Sequence, residues 1–459
     1  MEKTYAEQPW RKLQELVCLP ETLEYPLATY TDYHLYRPAK KYPDNLAIVY
    51  MDREMTFREL QDQVDRFATA LSDIGIKKGD VVATAMVSSI QFVVADLAIP
   101  RTGAIHAPMS ILDSVDDLAG KFSLVKPEMV ICTHTNTQER DILDKVKKAA
   151  KKTGVKNIIV TKAQDYSLYP PVHEAEKGII WFTDLIHTYP PEPPEVAIDV
   201  NKDTAMVIFT GGTTGTPKAC MYPHLSLIGT AVNTSGTLMP PYLISLLEGL
   251  SRVIVPLPLF HILGHHGAIQ QLSHAWTILL QNDPRDYKEY MRLVKKYHPT
   301  LNIGVPNQFM QLARQEGAED LGLTGISSGA PLHQDTGRKF SEKTKSAIGQ
   351  VYGPTEVGGT ATLVSLADLA LPALGSYKAV GRVFRVLDTG MKLPGLLKLL
   401  RALLQRIGPE RLGKMTANFT RKGASKAAKK DSAEKRKTAG SIGIVNVDCE
   451  IKIIDLISG

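Results

Sequence analysis

The chain has 459 residues, 44% hydrophobic and 22% charged, which is globular composition with length for more than one domain. No apolar run reaches the roughly 18 residues of a membrane span, and the opening Met1-Glu2-Lys3-Thr4-Tyr5 is no signal peptide. Cys18, Cys132, Cys220 and Cys449 form no close pair, which excludes a disulfide framework and a zinc knuckle; the expected compartment is cytoplasmic.

In chain order, Thr56-Phe57-Arg58-Glu59 reads as a capping box, with Thr56 and Glu59 satisfying each other's orphan amides. Leu60, Val64, Phe67, Ala68 and Leu71 then fall on one helical face. Gly75 and Gly79-Asp80 punctuate before a strand at 81–87. Further strand candidates at 128–132, 157–161, 205–209, 252–257, 277–281 and 299–304 alternate with helical stretches such as 138–152 and 286–297. That alternation predicts an α/β fold with largely parallel sheets.

The most specific segment is Thr210-Gly211-Gly212-Thr213-Thr214-Gly215-Thr216-Pro217-Lys218, flush on the apolar run Ala205–Phe209. Glycines let the backbone turn its amides into a concavity, threonine hydroxyls add neutral donors, and Lys218 adds a point charge. The segment predicts a phosphate loop. A Walker loop is excluded because Pro217 stands where its second glycine belongs, and the glycine spacing is not G-x-G-x-x-G.

Downstream, Ser327-Ser328-Gly329-Ala330-Pro331-Leu332 is followed by Gln350-Val351-Tyr352-Gly353-Pro354-Thr355-Glu356. A tyrosine face can stack on a purine, a threonine hydroxyl can donate to a phosphate, and one carboxylate can hold magnesium otherwise ligated by water and phosphate. Between the two lies Pro256-Leu257-Pro258-Leu259-Phe260-His261-Ile262-Leu263-Gly264. His261 and His265 have zinc-clamp spacing, yet no third ligand is evident, so His265 and His266 read as ordinary helix residues.

These segments, in this order, resemble the adenylate-forming (AMP-binding) superfamily, whose loop is usually T-S-G-T-T-G-x-P-K-G. This chain departs from it at Gly211, usually Ser, and Ala219, usually Gly. Gln350 to Glu356 is similar to the family's Y-G-x-T-E, Gly329-Ala330 to its G-A-P-L turn, and Pro258 to Gly264 to its acyl-pocket segment. The resemblance implies the large N-terminal domain of the acyl-adenylate-forming enzymes, with two stacked α/β subdomains and a small β region. It implies ATP, Mg2+ and coenzyme A, and a carboxylic acid as substrate. On it, Thr210, Gly211, Gly212, Thr213, Thr214, Gly215, Lys218, Gly329, Ala330, Gln350, Tyr352, Gly353 and Thr355 hold nucleotide. Lys218, Thr355 and Glu356 are catalytic, with Glu356 the metal ligand. His261, Gly264 and Gly329 line the acyl pocket, and small residues there leave depth for a medium- or long-chain fatty acid.

The resemblance places the core at 1–370, a basic insertion at 371–439 and a return to core at 440–459. Between Lys378 and Lys437 stand 17 Lys+Arg against 4 Asp+Glu, a balance of +13, so the rest of the +6 chain carries −7. The segment 393–407 reads as a basic amphipathic helix, for which a peripheral membrane contact, a lid and a solvated insertion all remain open. Its few aromatic residues argue against nucleic acid, and Lys422 to Lys437 reads as disordered or loosely helical. No T-G-D occurs and the chain ends where family members continue to a small C-terminal domain. The expectation is an incomplete chain of low turnover. Two other readings stand beside the ligase: a non-catalytic nucleotide-binding fragment, and a serine hydrolase using Ser327 in Gly325-Ile326-Ser327-Ser328-Gly329.

Overall fold

The computed structural model describes residues 11–134, 141–173, 179–210, 218–363, 369–371, 374–429 and 444–445. The chain divides into two compact units, Pro26–Ile228 with Arg252–Val294, and the residues up to Tyr25 with Gly229–Ser251 and from Lys295 onward.

The first unit carries β1 (Leu46–Tyr50), β2 (Arg53–Thr56), β3 (Val81–Ala85), β4 (Ile105–Pro108), β5 (Met129–His134) and β6 (Asn157–Lys162). It continues with β7 (Ile180–Trp181), β8 (Thr204–Phe209), β9 (Ala219–Pro223), β10 (Arg252–Val255) and β11 (Thr277–Leu280). Seven strands form a sheet in the order β7-β6-β5-β3-β4-β8-β9, antiparallel only at β8–β9. β10, β11 and β1 pair in parallel, and β2 adds antiparallel to β1. The largely parallel expectation holds. Helices cover both faces of such sheets, which is why β5 and β8 read as nearly unbroken apolar runs.

Helix Phe57–Asp73 begins at the expected capping box, and Leu60, Val64, Phe67, Ala68 and Leu71 are all fully buried. Helix Ile90–Arg101 is different. It is apolar almost all round, and 11 of its 12 residues are buried, including the polar Gln91 and Asp96.

The second unit holds parallel β12 (Leu301–Gly304), β13 (Thr324–Ser327) and β14 (Ala347–Gln350), and a short antiparallel pair, β15 (Thr362–Leu363) with β16 (Ile444–Val445). Here the first part of the expected insertion is packed, not free. Helix Tyr377–Met391 buries Val380, Gly381 and Phe384, and Val17 from the N-terminal segment completes a small core with Val380 and Phe384. Gly381 permits that approach, since a Cβ there would stand 2.4 Å from Leu16 Cδ1. The amphipathic helix expected over 393–407 starts at Leu396 and runs to Lys429, broken at Gly408 (φ 76°) before Pro409. Proline lacks the amide that would continue the ladder, so the break falls where the sequence dictates it. Of the tract read as disordered or loosely helical, residues 422–429 are helical, and 430–437 lie outside the described residues.

Among the described residues no helix is long and apolar enough to cross a membrane. The 396–429 helix is held by close backbone contact at Gly413, where a Cβ would lie 1.9 Å from the His298 carbonyl oxygen. We expect Gly413→Ala to cost about 1–3 kcal/mol through overpacking against an unyielding backbone. Urea midpoints measure this, and an unchanged midpoint would show that the helix does not depend on that contact.

Candidate functional site

The predicted phosphate loop springs from the β8–β9 hairpin. Phe209 pairs with Ala219, the Thr210 amide donates to the Lys218 carbonyl (2.9 Å), and the Lys218 amide donates to Thr210 Oγ1 (3.3 Å). The two ends of the loop are thereby clamped together. Because Thr210 Oγ1 accepts from the backbone, its own proton stays available to a phosphate oxygen. Lys218 is exposed. Gly211, Gly212, Thr213, Thr214 and Gly215 lie outside the described residues.

In the second unit, β13 and β14 deliver the other predicted nucleotide residues to their carboxyl ends, where ligands of open α/β sheets bind. Gly329 takes a left-handed conformation (φ 78°) that favours glycine, and it stands exposed beside Ala330. Gln350 Oε1 accepts from the Leu332 amide (3.2 Å), tying this turn to the end of β14. Tyr352 pairs through its backbone with Thr362, which leaves the side chain 51% exposed with a ring available for stacking. Gly353 has no alternative, because a Cβ would stand 2.0 Å from the Gly359 carbonyl oxygen. Thr355 and Glu356 follow on a single 3-10 turn, Thr355–Val357, with Glu356 exposed.

Among the described residues no three His, Cys, Asp or Glu side chains are grouped to hold a metal ion. A lone exposed carboxylate at Glu356 suits Mg2+ that keeps its remaining ligands as water and phosphate, and does not suit a protein-caged ion.

His261 N-caps helix Ile262–Leu272 without a side-chain bond. The segment before it is pinned by Ser88 Oγ, which donates to the Leu257 carbonyl (3.0 Å) and accepts from the Leu259 amide (3.1 Å). His261 is exposed, yet desolvation by its surroundings and the Lys121 ammonium hold its pKa below the ordinary value. Gly264 corrects an expectation. A Cβ there would lie 2.2 Å from the Pro258 carbonyl oxygen, so this glycine permits helix and strand end to touch and opens no pocket on its Cβ side.

A family model described as AMP-binding enzyme matches residues 35–394, most of the chain. The chain belongs to the AMP-binding enzyme family. It is 25% identical over 340 residues to a long-chain-fatty-acid–CoA ligase of Bacillus subtilis, covering 69% of this chain and 58% of that one. The chain thus spans less than two thirds of that relative's length. By fold it is similar to an anthranilate CoA ligase solved with anthranoyl-AMP (TM-score 0.64, 20% identity, 76% of this chain and 64% of that one). It is also similar to the N-terminal domain of FACL13 from Mycobacterium tuberculosis (TM-score 0.61, 20% identity, 73% and 79%). These two likenesses bear out the predicted N-terminal α/β fold.

Within this AMP-binding chain the structure disfavours the hydrolase reading. Ser327 ends β13 fully buried, paired with Gly304 and Gln350, and the next helix begins only at Gln334. A nucleophile elbow needs an exposed hydroxyl on a sharp strand-to-helix turn. Its Oγ also meets no hydrogen-bond partner among the described residues.

Sequence reading missed a polar cluster buried beneath the His261 segment. Asp96 Oδ1 accepts from His106 Nδ1 (2.8 Å) and His265 Nε2 (2.9 Å), and Asp96 Oδ2 accepts from Tyr30 Oη (2.7 Å). With Nδ1 donating, neutral His106 accepts at Nε2 from Thr84 Oγ1 (2.8 Å), which fixes its tautomer. Burial alone would raise the Asp96 pKa; the His265 charge and the histidine hydrogen bonds outweigh it and hold the carboxyl well below the carboxylate range. The only readable signal was an aspartate inside an otherwise apolar helix.

His34 lies beside this cluster, 2% exposed, with its pKa pushed down to about 3 by desolvation and then by His265; His266 is pushed to about 3 by the same causes. Unfolded histidine binds its proton near pH 6.5, so below that the unfolded chain gains a proton that the folded chain refuses. Stability therefore falls as pH drops from about 6.5 toward 3, by about 1.4 kcal/mol per pH unit for each such histidine. Thermal melts between pH 7 and 4.5 should track this, with a shallower slope in His34→Leu. A flat profile would mean these rings carry a proton in the folded chain.

Proposed function

We propose that the chain activates a carboxylic acid with ATP, forming an acyl-adenylate and then an acyl-CoA. The observation that carries this reading is the exposed group at the ends of β13 and β14. A stacking tyrosine, a hydroxyl at Thr355 and one carboxylate at Glu356 stand in the order that the AMP-binding family uses. The clamped ends of the Thr210–Lys218 loop, with the exposed Lys218, support phosphate binding by themselves.

In this reading a substrate carboxylate oxygen attacks the α-phosphorus of ATP. The new P–O bond forms as the bond to the β-phosphate oxygen breaks, and pyrophosphate leaves with the electron pair. Lys218 and the Thr210 and Thr355 hydroxyls neutralise charge that develops on the phosphate oxygens. Glu356 would hold magnesium that arrives with the nucleotide, and the ion would supply Lewis-acid stabilisation of those oxygens. Coenzyme A then attacks the acyl carbon through sulfur: the C–S bond forms as the acyl C–O bond to AMP breaks, AMP leaves with the electron pair, and the thiol proton passes to solvent. No side chain is acylated. Tyr352 and Gln350 orient the base and the Gly329–Ala330 turn.

The acid is a medium- or long-chain fatty acid, a reading supported by the names of the curated relatives, among them the Bacillus subtilis ligase. The close contact of Gly264 with Pro258 removes one argument for a deep pocket. Peripheral contact with a membrane through 393–407 belongs to the same reading, because such an acid is drawn from lipid.

Nucleotide binding tests the proposal most directly. ATP with magnesium should bind this chain, and Glu356→Gln should remove most of the magnesium dependence measured by calorimetry. Equal magnesium dependence in both proteins would contradict the metal assignment. ATP–pyrophosphate exchange across a panel of acids should favour octanoate to palmitate. Fastest exchange with acetate or benzoate would refute the acyl choice and leave the nucleotide site standing.

A further inference from the structure

Among the described residues, the two helices of the basic segment leave apolar stripes uncovered. On helix Tyr377–Met391, Phe384 and Val380 face inward, while Val383, Val386 and Leu387 point outward at i, i+3, i+4 spacing. On the first part of helix Leu396–Lys429, Arg401 turns to a 2.9 Å ion pair with Glu248, and Leu399 and Leu403, one turn apart, point outward. The connecting turn adds Leu393. These six side chains are between 39% and 68% exposed. An unpartnered stripe of this kind on a globular surface marks a contact.

The charges beside the stripes indicate what covers them. Arg382, Arg385, Lys398 and Arg406 are all exposed within or beside the two stripes. Asp388 is the one acidic residue between 378 and 406, and it is engaged with Lys392 at 2.8 Å. Between 378 and 406 seven Lys+Arg stand against this one Asp, so the cations of the stretch are not balanced within it. Alternating valine or leucine with arginine or lysine lets each cation reach a headgroup while its neighbour enters the acyl boundary. Within 377–407 a nucleic acid would find no exposed aromatic ring, since Phe384 is buried and Tyr377 half-buried; the exposed Phe419 lies beyond the break at Gly408.

We propose that the outward faces of helix Tyr377–Met391 and of the 396–407 turns, joined through the 392–395 turn, form a docking surface for an anionic lipid bilayer. This deepens the peripheral contact stated with the ligase reading by naming its lipid charge and by adding the 377–391 helix to it. Anionic headgroups meet the cations, and the valine and leucine side chains enter the interface without spanning it. A surface of this kind binds reversibly and weakens with salt, because the electrostatic part is screened over a Debye length.

Vesicle co-sedimentation tests it with the full chain, in the absence of ATP, acid and coenzyme A, so that its outcome is independent of ligase activity. Vesicles of phosphatidylglycerol with phosphatidylcholine should bind the chain at low salt, and pure phosphatidylcholine should not. Each cation removed should lower partition about five-fold, so Lys398→Gln with Arg406→Gln should lower it about 25-fold. Val386→Gln with Leu387→Gln should lower it as well, although those residues lie outside 393–407. All four positions are exposed, so melting temperatures should stay at the wild-type value. No binding to anionic vesicles overturns the proposal, as does binding that both double variants leave intact. If the variants instead abolish a concentration-dependent dimer in sedimentation without altering vesicle binding, the surface belongs to a second copy of the chain and the proposal fails.

Discussion

The Asp96 carboxylate, with no access to water, is the constraint around which the first unit closes. A buried charge is costly unless its lone pairs are filled, and here three donors from separate segments fill them: Tyr30, His106 on β4 and His265 on helix Ile262–Leu272. The segments cannot drift without leaving that charge unpaired. The consequence reaches the candidate acyl-binding side, because the His265 amide bonds to the His261 carbonyl at 2.9 Å in the opening turn of the same helix. The position of His261 is therefore set by a residue 165 positions earlier in the chain.

Close backbone approach is a second recurring device. Gly264 against Pro258, Gly353 against Gly359, Gly381 against Leu16 and Gly413 against His298 each occupy places where a Cβ would clash. Two of these stand in segments singled out for ligand binding. Their role is indirect: they let strand ends and helices meet, so that neighbouring side chains such as Tyr352 face outward. A glycine in a binding motif is thus evidence about backbone geometry before it is evidence about a pocket.

The basic segment joins fold and surface in one stretch of chain. Its inward residues complete a core with the N-terminal helix, and its outward residues carry both the cations and the uncovered apolar stripes. The high isoelectric point of the protein arises from the 378–437 segment. Reading it as a feature of the nucleotide site would have assigned the charge to the wrong place.

The capping box at Thr56, the strand ahead of Thr210 and the strands near 81, 128, 157, 252, 277 and 299 were legible in the sequence. Each depends on local periodicity, turn chemistry or a contiguous run of residues, and these survive translation along the chain. What the sequence left open is non-local. The Asp96 cluster unites residues 30, 84, 96, 106 and 265. No periodicity links them, so an isolated aspartate in an apolar helix was the whole signal. The packing of helix Tyr377–Met391 on Leu16 and Val17 was equally hidden, because amphipathic spacing identifies an apolar face without naming its partner. Local conformational preference determined the elements. Which buried charge is answered, and which glycine must yield space, was decided only when distant segments met, because desolvation and steric exclusion act through space and not along the chain.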